Sequence, residues 1–153
     1  MRAARVFIDS NVFLYGRDDE QGRKGEHAAR WLRDLAADGQ GRTNLQVLNE
    51  ITHVLLRKRS DLPAADIFRQ VDALRFFGDT PLTIASATTA RTLREATRYS
   101  WWNCLLLAAA QELGCTHFLS EDLQDGREIA GTAGKALTII DPFAHSPADI
   151  LAS

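Results

Sequence analysis

The sequence of 153 residues lacks the features that mark several specialised classes of protein. No apolar run approaches the roughly 20 residues that a membrane-spanning helix needs, and the N-terminus has no apolar core of the kind found in signal peptides. The formal net charge is −2, so there is no bulk positive charge of the kind typical of nucleic-acid-binding proteins. We therefore expect a cytoplasmic protein that does not insert into membranes.

Cysteine is scarce, and the two that occur, Cys104 and Cys115, form neither a CxxC pair nor a zinc spacing. We predict that both are small core residues. The histidines also fit no metal spacing; they are His27, His53, His117 and His145. A Gly-rich phosphate loop is missing as well, which leaves an unrelated Mg²⁺-dependent phosphotransfer domain without support.

What the sequence does contain is an alternation of strand and helix patterns in an ordinary globular composition, with 45% hydrophobic and 25% charged residues. We predict strands over residues 5–8, 82–84, 116–119 and 136–140, with a strand end or loop at 42–44. Helical periodicity fills most of the intervals, and residues 17–22 read as a loop. This alternation predicts a single α/β domain.

The first strand ends in a carboxylate. Residues 6–8 are an apolar run suited to a strand that is covered on both faces, and Asp9 follows them. Ser10 or Asn11 can cap the short helix that comes next. Asp9 either lies at the edge of the sheet where α/β proteins bind ligands or only helps to cap that helix.

Two further polar residues, Glu50 and Asn103, lie on helix faces that otherwise carry apolar residues. Glu50 shares a helix face with Val47, Ile51 and Val54, so it is either paired at a rim or bound to a metal. Asn103 begins the apolar face of a helix capped by Ser100.

The strand over residues 116–119 is followed by Asp122. Strand ends and the following helix N-termini share one edge of a parallel sheet, so Asp9, Asp122 and Asn103 are expected to converge there. Oxygen ligands without His or Cys favour Mg²⁺ or Mn²⁺.

In order along the chain, four motifs resemble those of the PIN-domain ribonucleases, and more narrowly the VapC toxins of bacterial toxin–antitoxin pairs. They are the stretch from Val6 to Val12, Asn49-Glu50, the stretch from Ser100 to Asn103, and the stretch from Leu119 to Gly126. The resemblance implies a PIN domain over residues 1–143 with a tail at 144–153, and a five-stranded, mainly parallel sheet sandwiched by helices. It also implies a homodimer, Mg²⁺- or Mn²⁺-dependent cleavage of RNA, and a cognate antitoxin that covers the acidic groove.

Transferred position by position, the resemblance makes Asp9, Glu50 and Asp122 acids of the catalytic site. Asp9 and Asp122 would bind the metal and Glu50 would orient its water. Supporting polar residues would be Ser10, Asn11, Ser120 and Asp125.

The third acid of the family falls on Asn103, where this sequence departs from the pattern. Asn offers a carbonyl oxygen but no charge, so we expect weaker metal binding and impaired cleavage. Asn103 is included among the predicted metal ligands and catalytic positions. A catalytically inactive module that binds RNA or antitoxin is the alternative.

Aromatic and basic residues leave further alternatives. Trp101 and Trp102 could stack on bases, but a core or dimer-interface role is favoured because aromatics dominate burial. The arginines at positions 91, 94 and 98 are interpreted as a solvated helix face. A possible antitoxin groove comprises Phe13, Leu14, Tyr15 and Trp31.

Overall fold

Strands and helices alternate along the chain in the computed structural model, which describes residues 3–17, 22–131 and 135–151. The N-terminal half contains β1 (Val6–Ile8), α1 (Ser10–Gly16), α2 (Arg23–Ala37), β2 (Gly41–Arg42), α3 (Leu45–Lys58) and α4 (Ala64–Leu74) with a 3₁₀ turn (Arg75–Phe77). The C-terminal half contains α5 (Ile84–Thr97), α6 (Trp101–Glu112), β3 (His117–Leu119), β4 (Glu128–Ala130), β5 (Ala136–Ile140) and α7 (Pro147–Leu151).

The strands form one five-stranded sheet in the order β2-β1-β3-β5-β4. All neighbours are parallel except β4, which runs antiparallel to β5 at the edge. The expected five-stranded, mainly parallel α/β sheet is confirmed. In the register of the two central strands Phe7 lies beside Phe118, and their rings stack with centroids 5.3 Å apart.

The apolar run at the start of the chain forms the middle of the core. Val6, Phe7 and Ile8 are each 0% exposed, which shows that β1 is covered on both faces. Both cysteines are buried, as predicted. β1 therefore delivers the residue that follows it, Asp9, from the core to the edge of the sheet.

One predicted strand is wrong and one strand was missed. Residues 82–84 are not a strand: Thr83 is the N-cap of α5, and its side chain accepts a hydrogen bond from the Ser86 N–H. Ile84, which looked like a buried strand residue, is 84% exposed. The missed strand is β4, in which only Ile129 is buried, so its three residues carry too little pattern to read.

The described part of the predicted tail packs against the domain. Within residues 144–151, Ile150 and Leu151 pack on the core, and the Trp31 indole N–H donates to the carbonyls of Pro142 (2.9 Å) and His145 (3.2 Å). Residues 152–153 of that tail, like residues 18–21 of the predicted loop, lie outside the described part of the chain. No helix in the described residues combines the length and apolarity needed to cross a membrane.

Candidate active site

Asp9 lies directly after β1 and is 4% exposed. Its Oδ1 accepts a hydrogen bond from the Ser10 N–H (2.7 Å), so Asp9 is the N-cap of α1. The prediction that Ser10 or Asn11 caps this helix is therefore wrong. Capping nevertheless occupies only one carboxylate oxygen, and the other faces the neighbouring strand end.

Ser120 connects the ends of the two central strands. Its hydroxyl donates to Asp9 Oδ2 (3.0 Å) and accepts from the Asp122 N–H (3.2 Å). Because β1 and β3 are parallel neighbours, the residues that follow them meet at one edge of the sheet. The predicted convergence of Asp9 with the segment around Asp122 is present in the structure.

Asn11 holds the second acid. Its Nδ2 donates to Asp122 Oδ2 (3.1 Å), a contact between residues 111 positions apart. Its Oδ1 is buried and has no hydrogen-bond partner within the described residues. The Asn11 amide thus donates to an acid through Nδ2, while its Oδ1 accepts no hydrogen bond from the described residues.

Burial raises the pKa of the Asp9 carboxyl from 3.8 to about 6. Hydrogen bonds from Ser10 and Ser120 lower that pKa, whereas the charges of Glu50 and Asp122 raise it further. Both charges disfavour the ionised form of Asp9. A cation beside Asp9 would offset this penalty on its charge.

Asp122 is exposed as a residue, yet desolvation of its carboxyl raises its pKa. The charge of Glu121 also raises it, and the hydrogen bond from Asn11 and the charge of Lys24 lower it. Lys24 Nζ lies 2.9 Å from Glu121 Oε2 and over the Tyr15 ring, 5.4 Å from its centroid. The sequence carried no signal for this Lys24–Glu121 pair, because the two residues are 97 positions apart.

Glu50 is half-buried on α3, and Gln46 binds it from one turn earlier. Gln46 Nε2 lies 3.4 Å from Glu50 Oε1 and 3.3 Å from the carbonyl oxygen of Trp102, the residue before Asn103. Gln46 was not among the predicted site residues. The spacing of four between Gln46 and Glu50 was the available signal.

Asn103 is in the first turn of α6, where its N–H donates to the Ser100 hydroxyl (3.1 Å), as the predicted cap requires. Its side chain is half-buried, in contrast to the apolar residues that follow it on α6. The bond from Gln46 to Trp102 places this turn beside the helix that carries Glu50.

Asp125 has a different set of contacts from the other acids. Its Oδ1 accepts from the Asp141 N–H (2.9 Å), and its Oδ2 lies 2.9 Å from His145 Nε2. The hydrogen bond from Asp141 holds its pKa below the ordinary value. Its observed contacts tie the loop before β4 to the C-terminal segment.

Not all the predicted surface residues are on the surface. Trp31 is 0% and Phe13 2% exposed, so neither can line a groove, and that part of the predicted antitoxin groove is wrong. Conversely, Trp101 and Trp102 are 37% and 62% exposed, which excludes the core role for them. Arg91, Arg94 and Arg98 are exposed, as predicted.

Within residues 3–17, 22–131 and 135–151, no three His, Cys, Asp or Glu side chains are grouped as ligands of one metal ion. The oxygen donors at this edge of the sheet are the carboxylates of Asp9 and Asp122 and the amide of Asn11. Such hard oxygen donors match the preference of Mg²⁺ and Mn²⁺, although one carboxylate fewer is present than the family pattern implies.

The family model described as "PIN domain" matches residues 6–130. The chain belongs to the PIN domain family. The match includes β1 to β4 and therefore Asp9, Glu50, Asn103 and Asp122. No curated protein matches the sequence.

Solved structures with the same fold include three from bacterial toxin–antitoxin systems. A toxin–antitoxin complex from Klebsiella pneumoniae is 18% identical, with a TM-score of 0.58, and the match covers 90% of this PIN domain chain and 97% of the other. VapC20 of Mycobacterium tuberculosis, a toxin that cleaves the sarcin–ricin loop, is 16% identical (TM-score 0.54; 74% and 86% covered).

VapBC2 from Rickettsia felis, bound to a DNA fragment of its promoter, is 12% identical (TM-score 0.60; 89% and 98% covered). At these identities the comparisons establish the shared fold.

Proposed function

We propose that this PIN domain is a divalent-metal-dependent endoribonuclease that acts as the toxin of a toxin–antitoxin pair, with activity impaired by Asn103. The observation that supports this most directly is the buried carboxylate of Asp9, which is joined to the Asp122 segment through the Ser120 hydroxyl at one edge of the sheet. Uncompensated acids are costly at a sheet edge unless a cation joins them. VapC20, which shares the fold and cleaves the sarcin–ricin loop, supports the choice of RNA as substrate.

In this proposal Mg²⁺ or Mn²⁺ is held by Asp9, Asp122 and the amide oxygen of Asn103. The buried Asn11 oxygen without a partner, next to Asp122, is consistent with a site built to receive a cation. Such an ion supplies a nucleophilic water and neutralises charge on the phosphate.

The chain's own residues prepare the site. Ser10 and Ser120 each hold one oxygen of Asp9 and so orient its carboxylate. Asn11 orients Asp122 in the same way. In this proposal Glu50 would orient the attacking water. In this proposal Ser10, through its backbone N–H, and the side chains of Asn11 and Ser120 support the acids.

The partners proposed are an RNA substrate, a cognate antitoxin and a second copy of the chain. The toxin–antitoxin complexes among the structures with this fold support the antitoxin. The two exposed tryptophans at the start of α6 are available to a second copy.

The first prediction is that Asn103→Asp restores cleavage. We expect Mg²⁺-dependent hydrolysis of RNA to rise about tenfold or more, which requires only about 1.4 kcal/mol of additional transition-state stabilisation from the restored charge. Cleavage of total RNA is measured for both proteins with Mg²⁺, with Mn²⁺ and with EDTA.

Gln70→Glu is the control, since it adds the same charge at an exposed position of α4 and is expected to leave cleavage unchanged. Adding Asp9→Asn to Asn103→Asp should abolish cleavage. Equal activity of the Asn103→Asp and original proteins would refute the role given to position 103.

A second candidate function is a module that binds RNA or antitoxin without cutting. Two observations favour this candidate. Position 103 carries an amide, and the described residues contain no group of three His, Cys, Asp or Glu side chains that could hold one metal ion. Mn²⁺ titration separates the two candidates. Absence of binding at millimolar Mn²⁺, in both the original and the Asn103→Asp protein, would support the binding module.

A further inference from the structure

Gln46 links α3 to α6 through a contact with Trp102, which lies 56 positions later in the chain. Its Nε2 lies between Glu50 Oε1 (3.4 Å) and the Trp102 carbonyl oxygen (3.3 Å). Both neighbours only accept hydrogen bonds, so the nitrogen end of the amide must face them. Gln46 is therefore a cross-link between α3, which carries Glu50, and the first turn of α6, which carries Asn103.

This cross-link leaves an atom unsatisfied. Gln46 Oε1 is buried and has no hydrogen-bond partner in the part of the chain that the structure describes. Turning the amide over would not help, because the oxygen would then face a carboxylate and a carbonyl. In either orientation a buried polar atom is left without a partner, which is destabilising.

Asn11 shows the same combination: its nitrogen donates to Asp122, and its buried oxygen has no partner among the described residues. Gln40 also has a buried oxygen with no partner in the described ranges, but its nitrogen donates to the Ala4 carbonyl rather than to an acid. An unsatisfied oxygen alone is thus no sign of a site. The distinguishing feature of Gln46 and Asn11 is that each binds an acid of the proposed site.

An aliphatic side chain at position 46 would avoid the unsatisfied oxygen, and Met has nearly the shape of Gln. We propose that Gln46 is a positioning residue, retained at a cost in stability because it fixes Glu50 relative to Asn103. This inference rests on the proposed function, in which those two residues serve the same cation.

Gln46→Met tests the proposal because it should weaken Mn²⁺ binding without lowering the melting temperature. We expect Mn²⁺ to bind about tenfold more weakly, the lower end of the effect of removing groups that orient metal ligands. The melting temperature in EDTA should stay the same or rise, because the unsatisfied oxygen is removed. Mn²⁺ affinity is measured by isothermal titration calorimetry, in the original protein and in the Asn103→Asp background.

Gln111→Met is the matched control. Gln111 is also a half-buried glutamine whose Nε2 donates to a carbonyl, that of Ala130 (3.1 Å), and among the described residues its side chain has no hydrogen bond to an acid. Its replacement should lower the melting temperature and leave Mn²⁺ affinity unchanged. That result would show that the loss of affinity is specific to position 46.

Each other outcome has a defined meaning. If the parent proteins bind Mn²⁺ and Gln46→Met binds it equally well, the positioning role is overturned while the proposed function stands. A lower melting temperature with unchanged affinity would show a purely structural cross-link. If neither parent protein binds Mn²⁺, the metal-dependent function fails and the positioning role fails with it.

Discussion

Asp9 is a carboxylate whose surroundings penalise its charge. Its pKa is about 6 in the folded chain against an ordinary value of 3.8. Between these values the folded state binds more protons than the unfolded state, so the contribution of Asp9 to the free energy of unfolding falls as pH rises and is constant above about pH 6. The charge of this residue therefore destabilises the fold at neutral pH.

We accordingly expect Asp9→Asn to raise the free energy of unfolding near pH 7.5 by about 1 to 3 kcal/mol. Near pH 4, where the folded carboxyl is already neutral, the substitution should have little effect. Chemical denaturation in EDTA at the two pH values measures both effects.

Asp125→Asn is the control with the opposite sign, because the pKa of Asp125 is lowered in the folded state. Removing its charge should destabilise the protein slightly at neutral pH. If Asp9→Asn also destabilised the protein there, burial would not be the dominant influence on Asp9.

At the scale of the elements, the start of α5 was wrongly predicted from the local sequence as a strand. Thr83 is a β-branched residue in a short apolar run, but its hydroxyl caps a helix by accepting from the Ser86 N–H (3.0 Å). Thr83→Ala should lower the free energy of unfolding by about 1 kcal/mol, the usual effect of losing a cap. Thr83→Ser keeps the hydroxyl and should be nearly neutral.

Thermal denaturation of the two variants decides between a cap and a strand residue. In a strand, Ser and Ala would both be costly, because the β-branched methyl favours a pleated surface. Similar losses for both variants would contradict the cap.

At the scale of the whole molecule, Trp31 connects α2 to the C-terminal segment. Its indole N–H donates to two backbone carbonyls of that segment. Trp31→Phe keeps an aromatic ring but leaves both carbonyls without this donor, so we expect a loss of about 1 to 3 kcal/mol and faster amide exchange over residues 143–151. Hydrogen-exchange mass spectrometry measures the exchange rates.

Trp102→Phe supplies the comparison, since Trp102 is 62% exposed and its side chain is not buried in the described chain. It should change neither stability nor exchange in the C-terminal segment. Unchanged exchange in Trp31→Phe would show that the packing of Ile150 and Leu151 alone holds this segment.

Local sequence patterns determined the main elements and the position of the first acid. The apolar run at 6–8 required burial, so Asp9 had to emerge at the end of a buried strand. Ser100 was readable as a cap because its hydroxyl accepts a hydrogen bond from the backbone N–H three residues later. Elements with little pattern, such as β4, could not be read in the same way.

Only the tertiary structure decided which polar atoms of the site meet. Ser120 contacts Asp9, and Asn11 contacts Asp122, across 111 residues, and both contacts depend on the parallel register of β1 and β3. Gln46 reaches Trp102 only because the first turns of α3 and α6 approach each other. Hydrogen bonds require their two atoms to be within about 3 Å, a precision set by the packing of distant segments rather than by local periodicity.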